Sequence, residues 1–363
     1  MLSAALIVKD EEQYLEGCLR SIAGLVDECV VVDTGSLDRS PEIARDMGAR
    51  LYEYPWTGDF AEARNEALGH VRGDWVLYID ADERVRESSR EALGELLSDR
   101  DKIGYYVLLH ARPGFTPYRE MRLFRNDPLV RFQGVIHENI WPGLRKRRET
   151  HGGEIGVSPL VLDHLGYEGD QRHKHERNLP LLLESLERDP ERVFNWCHLA
   201  GVYTKLGQTD LAEKAWLAGV DVVHRKQQIR LADSFPYLGL IEHRMRTGTD
   251  VRALLDEATK DFPGNMQLLW FEGRYLMKQE DYAAAAQVFE RLINHGLTQD
   301  FDPWVGYDQR VFDLFAYDSL ATCYFRLRRY EDSARFYGLA AERDPANKEY
   351  RVKQHLCARL SGS

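Results

Sequence analysis

The sequence has no membrane-length apolar run: no window approaches the ~18 apolar residues that a spanning helix needs. Its opening, MLSAALIVKDEE, turns charged after a few apolar residues and has no basic stretch before them, so no secretory leader is expected. Cysteine is scarce. The five, at 18, 29, 197, 323 and 357, are odd in number and form no C-x-x-C pair. That excludes a disulfide framework and a zinc ribbon and fits a reducing, cytoplasmic setting. Positive charge is in deficit, with 48 Lys+Arg against 59 Asp+Glu and a formal net charge of −11. Generic nucleic-acid binding, which pairs a basic face with phosphates, is thereby disfavoured. A local basic pocket for a small anion is not. Apolar residues are plentiful, at 44% of 363, enough for a sizeable core in each of two domains.

The two halves carry different patterns. Up to about residue 110, short apolar runs alternate with helical periodicity. Strands are expected at Ser3–Val8, Glu28–Asp33, Arg50–Tyr54 and Trp75–Asp80. Helices are expected at Tyr14–Ile22, Ser36–Met47 and Phe60–Val71. This order predicts a mostly parallel sheet covered by helices. Further strands are expected at 103–110, 121–125 and 157–163. The Pro- and Gly-containing stretch 113–159 reads as loop-rich, and its basic run Arg145–Arg148 as a solvated loop or a mobile lid near phosphates.

From about 175 onward helix follows helix. Trp196, Ala200, Tyr203, Ala212 and Trp216 recur in register with Leu238, Gly239, Ala258 and Pro263. Leu269, Gly273, Leu276, Ala285 and Phe289 make a third copy. Leu320, Ala321, Tyr324, Tyr337, Ala340 and Pro345 make a fourth. The copies start near 193, 232, 266 and 314, so one spacing is 34 and the others are longer. A period of 34, with small residues where helices cross, is the tetratricopeptide pattern.

Candidate chemistry gathers at the strand ends. Asp80-Ala81-Asp82 leaves an apolar strand, and an extended chain would put both carboxylates on one side. Such a pair can hold a hard cation that neutralises a diphosphate. Asp33-Thr34-Gly35-Ser36 ends the second strand. Its carboxylate suits a base or ribose, or else plain turn capping. Val8-Lys9-Asp10-Glu11 ends the first. Arg64 and Asn65 lie on a helix, where Arg64 either pairs phosphate oxygens or pairs a neighbouring carboxylate. His137-Glu138 and His164 come later. Each reads either as structural or as chemistry, with His151, His173 and His175 as weaker rivals to His164.

Taken in order, VKDEEQYLEGCLRSI, VVVDTGSLDRS, DFAEARNEAL and DWVLYIDADERV resemble the family 2 glycosyltransferases with the GT-A fold, over roughly residues 1–170. The arrangement is similar to the bacterial subgroup in which a small catalytic domain precedes tetratricopeptide repeats, some of whose members glycosylate peptides or proteins. The resemblance implies a Rossmann-like α/β GT-A domain at 1–170 and an all-α repeat domain at 171–363. It implies that Val8, Lys9 and Glu11 border the nucleotide, that Asp33, with Gly35 and Ser36 in its turn, binds uracil or ribose, and that Arg64 and Asn65 line the base and diphosphate pocket. Asp80 would face the ribose beside Ala81, and Asp82 would ligate Mn²⁺ or Mg²⁺.

Family 2 enzymes invert the anomeric centre, so a carboxylate must deprotonate the acceptor. Many place it in a Glu-Asp pair, absent here. Glu138 is the expected counterpart, with His137 orienting it or touching the donor, and His164 is expected as a further metal ligand. The implied partners are a nucleotide sugar, UDP-hexose by preference, and a peptide or protein acceptor held by the repeats. No nucleic acid or membrane span is expected, and a homo-oligomer stays open. The rival expectation is a tetratricopeptide adaptor whose first domain senses a nucleotide sugar without catalysis.

Overall fold

The computed structural model describes residues 1–86, 88–166, 172–299 and 302–362. They fall into two compact units: Met1–Pro113 with Pro117–Gln208, and Gly114–Thr116 with the chain from Thr209 onward. The expected join at 170/171 lies outside the described residues. Compact packing carries the first unit on to Gln208.

The first unit begins β1 (Leu2–Val8), α1 (Leu15–Ile22), β2 (Glu28–Asp33), α2 (Ser40–Asp46), β3 (Arg50–Glu53), α3 (Phe60–His70) and β4 (Trp75–Tyr78). It continues with β5 (Glu83–Val85), α4 (Arg90–Ser98), β6 (Lys102–His110), β7 (Tyr118–Arg125), α5 (Trp141–His151), β8 (Glu154–His164), α6 (Arg172–Arg188) and α7 (Val193–Lys205). The eight strands form one sheet in the order β3-β2-β1-β4-β7-β6-β8-β5. The pairs β1–β2, β1–β4, β2–β3 and β6–β8 are parallel, while β4–β7, β6–β7 and β5–β8 are antiparallel. Strands β1 and β4, at the centre, are apolar apart from Ser3 because both faces are covered. Leu2, Ala4, Leu6 and Val8 of β1 pack with α1 and with Leu93 of α4. Ala5, with Val30 and Val32 of β2, packs with Ala61, Ala67 and Leu68 of α3.

Three local expectations change. Arg145–Arg148 lies on α5, not in a loop: Pro142 starts that helix, Gly152 ends it at φ +73°, and Leu144 anchors it in the core. The residues after Asp33 form an Asx turn, so α2 begins at Ser40 and not at 36. Strand β5 and helix α4 were not anticipated, because three residues and a charged helix give little periodicity.

The second unit is built from α8 (Thr209–Arg225), α9 (Phe235–Thr247), α10 (Arg252–Asp261), α11 (Met266–Lys278), α12 (Tyr282–Thr298), α13 (Leu314–Arg326), α14 (Tyr330–Arg343) and α15 (Lys348–Ser361). The first helices of the repeats start at 193, 235, 266 and 314, beside the expected 193, 232, 266 and 314. Small residues sit at the crossings, as the repeat pattern requires. A Cβ on Gly273 of α11 would lie 2.7 Å from the Phe289 ring of α12, and one on Gly239 of α9 would lie 2.2 Å from the Trp216 indole of α8.

Candidate active site

The parallel strands β2, β1 and β4 run side by side, so their carboxyl ends open on one edge, where a crevice is expected in an open α/β sheet. A cavity of about 330 Å³ lies there. Ile7, Val8, Lys9 and Glu11 line it from the end of β1, and Thr34 from the end of β2. Asp80, Ala81 and Asp82 line it from beyond β4, and Trp56, Phe60 and Arg64 from α3 and the segment before it. Ile136, His137 and Glu138, then His164, and finally Lys174, Arg177 and Asn178 of α6 complete the wall.

The acidic segment after β4 is a turn, so the argument from extended alternation fails. Glu83 is fully buried; its carboxylate accepts the Asp80 N–H at 2.9 Å, while the Glu83 N–H donates to the Asp80 carbonyl at 3.0 Å. That reciprocal pair turns the two aspartates toward different partners. The Asp80 carboxylate receives Arg64 Nη2 at 2.7 Å and Arg122 Nη1 at 3.4 Å. Burial opposes its charge, but the two guanidiniums outweigh burial and hold its pKa well below the usual carboxylate range. Arg122 also donates to Glu83 at 2.8 Å. Glu83 itself is pushed up to about 8 by burial, with Asp80 adding and Arg122 opposing. Both guanidiniums lie over the Tyr78 ring, Arg64 at 5.0 Å and Arg122 at 4.5 Å.

Asp82 turns to His164, whose Nε2 is 3.4 Å from Asp82 Oδ2. The antiparallel pairing of β5 with β8 sets Glu83 opposite His164 and so brings the two together. Gly166 makes the approach feasible, since a Cβ there would fall 1.9 Å from Asp82 Oδ2. Glu11 faces the same corner. Its pKa is raised to about 7, first by burial and then by Asp82, with Lys174 pulling it down. The described residues hold no cluster of three or more His, Cys, Asp or Glu able to bind a metal by themselves. One oxygen and one nitrogen donor nevertheless suit a divalent cation that takes its other ligands from water and a diphosphate.

Glu138 is held by an ion pair with Arg64 Nε. Arg64 therefore bridges two carboxylates from a buried position and not from an exposed helix face; burial opposes its charge, but Asp80 and Glu138 raise its pKa. His137 stands with φ +53°. Its pKa falls to about 2, first through burial and then through His198 and Arg192, so the ring is neutral.

The other expected residues divide. Val8, Lys9, Glu11 and Ala81 line the cavity with Asp80, Asp82, Glu138, His137 and His164. Asp33, Gly35 and Ser36 do not. The Asp33 carboxylate accepts the N–H groups of Gly35 and Ser36 at 3.1 Å, and Gly35 has φ +105°. Ser36 Oγ accepts the Asp10 N–H at 2.9 Å and ties the first two strand ends together. Capping chemistry thus accounts for this segment. Asn65 is also occupied, its amide clasping the Phe132 backbone at 2.9 and 2.8 Å. Among the rival histidines, His151 pairs with Thr150 at the end of α5, and the His173 side chain lies outside the description. Sequence reasoning missed Arg122, Glu83, Thr34, Trp56 and Phe60, and the α6 cations Lys174 and Arg177. The one available signal was the density of Lys and Arg in the run at 172–177 directly after His164.

Residues 3–157 match the family model described as Glycosyl transferase family 2. A TPR repeat-containing protein of Synechococcus elongatus is 34% identical over 250 residues, covering 67% of this chain and 62% of its own length. The lipopolysaccharide core biosynthesis glycosyltransferase LpsC of Rhizobium meliloti is 34% identical over 180 residues, 45% of this chain and 65% of LpsC. The prophage-derived glycosyltransferase SunS of Bacillus subtilis is 25% identical over 202 residues, 52% of this chain and 46% of SunS. The chain thus spans between 46% and 65% of the length of these curated relatives. Among solved structures, Cut9–Hcn1 covers 52% of this chain and 34% of its own at TM-score 0.41 and 16% identity. A glucosyl-3-phosphoglycerate synthase of Mycobacterium tuberculosis, with Mn²⁺ and UDP, covers 52% and 79% at TM-score 0.37 and 18% identity. At those scores neither carries weight for substrate or metal. The first unit thus carries a family 2 glycosyl transferase domain, and the helices after it start at repeat-like spacings.

Proposed function

We propose that this protein is an inverting, metal-dependent glycosyltransferase that moves a hexose from a UDP-sugar, in the cytoplasm, to a peptide or protein acceptor bound by the helical repeats. The observation that carries the reading is the shared cavity, which Asp82, facing His164, lines together with Glu138. Lys9, Lys174 and Arg177 supply positive charge for the diphosphate, a role the ion-paired Arg64 does not fill. Trp56 and Phe60, with ring centroids 4.7 Å apart, give an apolar wall for the uracil. Asp82 and His164 would hold Mn²⁺ or Mg²⁺, which when bound supplies charge neutralisation for the diphosphate. Glu138 takes the proton of the acceptor nucleophile. The nucleophile bonds to the sugar's anomeric carbon as the bond to the diphosphate oxygen breaks, and UDP leaves with that electron pair.

One observation favours the adaptor reading: the Glu138 carboxylate is already engaged by the Arg64 guanidinium, where a base must be free to meet the acceptor. A donor screen separates the two. UDP-glucose, UDP-galactose and UDP-N-acetylglucosamine are each incubated with the protein, Mn²⁺ and a cytosolic peptide pool. Release of UDP and a peptide mass gain of one sugar residue are expected, and both should vanish with EDTA. UDP binding without release or mass gain for any donor would leave a sensor domain on an adaptor.

A further inference from the structure

Glu138 sits in a short loop with an unusual backbone. Two hydrogen bonds between Gln133 and Asn139, at 3.0 and 3.1 Å, close the loop at its base. Val135 and Ile136 are each 3% exposed, and the Val135 carbonyl accepts the Phe60 N–H at 2.9 Å. Between these anchors Gly134 has φ +105° and His137 has φ +53°. Glycine takes such angles freely. A non-glycine residue takes them uncommonly, histidine more often than most, and here one stands directly before the candidate base with outside contacts imposing its place.

The imposing contacts come from α7 and the residue before it. Arg192 Nη2 donates to the His137 carbonyl. The His137 ring lies 4.0 Å from the His198 ring and 5.1 Å, edge-on, from Phe194. Arg192 reaches the loop because position 134 has no side chain: a Cβ there would meet its Nη1 at 2.6 Å. Arg192, Phe194 and His198 do not line the cavity, so they touch no ligand in it. Phe194 remains 42% exposed, more than a residue serving only to seal a core would be.

We propose that Arg192, Phe194 and His198 form a positioning clamp on the Gly134–Glu138 turn and thereby aim the Glu138 carboxylate into the cavity. The inference rests on the reading of Glu138 as the base. Burial, with Arg192 beside them, lowers the pKa of both rings, so they pack against the guanidinium without charge repulsion at neutral pH.

The test uses the full chain and two independent readouts. Arg192→Ala should speed hydrogen exchange of amides 135–138 by about tenfold, because the loop loses its outside tie. UDP–Mn²⁺ affinity by calorimetry should stay unchanged, while turnover of the active UDP-sugar falls roughly 10–100-fold through a misplaced base. Arg192→Lys, which keeps a donor and the charge, should recover most of the turnover. If Arg192→Ala does not fold, the double variant Phe194→Ala/His198→Ala leaves the arginine in place and should show the same split, more weakly. Native exchange at 135–138 would overturn the clamp, as would faster exchange with native turnover, or an affinity loss that matches the turnover loss. Should Glu138→Gln keep full transfer while Arg192→Ala still loosens the loop, the base assignment fails and the clamp stands.

Discussion

Buried polar groups serve different partners in the two units. In the helical unit they mostly satisfy backbone, with Asp233 also paired to Lys226 at 2.6 Å. Asn265 caps α11 by accepting from Gln267 and Leu268 at 2.9 and 3.1 Å, and its amide donates to Ser234 Oγ. Ser333 Oγ donates to the Ala321 carbonyl, and Asp233 accepts the Arg230 N–H. In the sheet unit the buried charges satisfy one another. Glu138, Arg64, Asp80 and Arg122 form one chain of ion pairs, which Arg122 extends by a hydrogen bond to Glu83. Replacing such pairs by apolar residues is often neutral or stabilising, so their presence argues for fields and donors needed at a ligand. The comparison teaches that polarity in the repeats builds helix ends, and polarity at the sheet edge builds chemistry.

The sharpest way to break the comparison is Glu138→Gln. On the proposed reading the amide keeps the Arg64 contact but takes no proton, so turnover should fall roughly 10²–10⁴-fold. UDP affinity by calorimetry should be near native. Lost UDP affinity with surviving transfer would make Glu138 a binding residue and move the base elsewhere. Asp82→Ala ranks next. Loss of one electrostatic stabiliser of the leaving group costs ~10²–10³ in rate, and Mn²⁺ should no longer strengthen UDP binding. Wild-type activity and native Mn²⁺ dependence in that variant would remove Asp82 from the metal site.

A third prediction follows from Glu83. Its folded pKa, about 8, lies above the ordinary carboxylate value of 4.5. A raised acid contributes stability that is fully present below the unfolded pKa and lost as pH rises through the folded value. Asp80, shifted the other way, is ionised in both states across this window and does not interfere. Glu11, raised to about 7, contributes with the same sign as Glu83 and remains in both proteins. Urea midpoints should therefore fall from pH 5 to pH 8.5 more steeply in the wild type than in Glu83→Gln. Parallel profiles would show that Glu83 does not carry a proton in the folded state.

Legibility followed the same division between local pattern and long-range partnership. Strands β1, β2 and β4 are continuous apolar runs, and the repeats announce themselves by period, so both architectures could be read from residues near one another. Lys9, Glu11, Asp80 and Asp82 were placed at the cavity because strand ends of a parallel sheet must open there. The ion pairs of Arg64 could not be read from the sequence, because its partners, Asp80 and Glu138, lie 16 and 74 residues away. The turn at Asp80–Glu83 could not be foreseen either, since a side chain and not a glycine or proline closes it. Lys174 and Arg177 sit on α6 and Arg192 directly before α7, helices whose periodicity reveals an apolar face but not what that face meets.

The smallest expected effect sharpens the comparison most cleanly. Asn265→Ala removes the cap of α11 and should lower stability by about 1–2 kcal/mol, the range for losing a strong N-cap. The helix itself survives, because Leu268 and Phe271 remain buried and their apolar contacts are unchanged. Ser234 Oγ keeps its bond to the Leu231 carbonyl, so the substitution strands no further buried donor. Nothing in the sheet-edge charge chain touches Asn265. UDP affinity and turnover should therefore match the wild type at a temperature where both proteins are folded, while the urea midpoint drops. A fall in turnover without a fall in stability would mean that polar groups in the helical unit also act on the reaction, and the division drawn between the two units would be wrong.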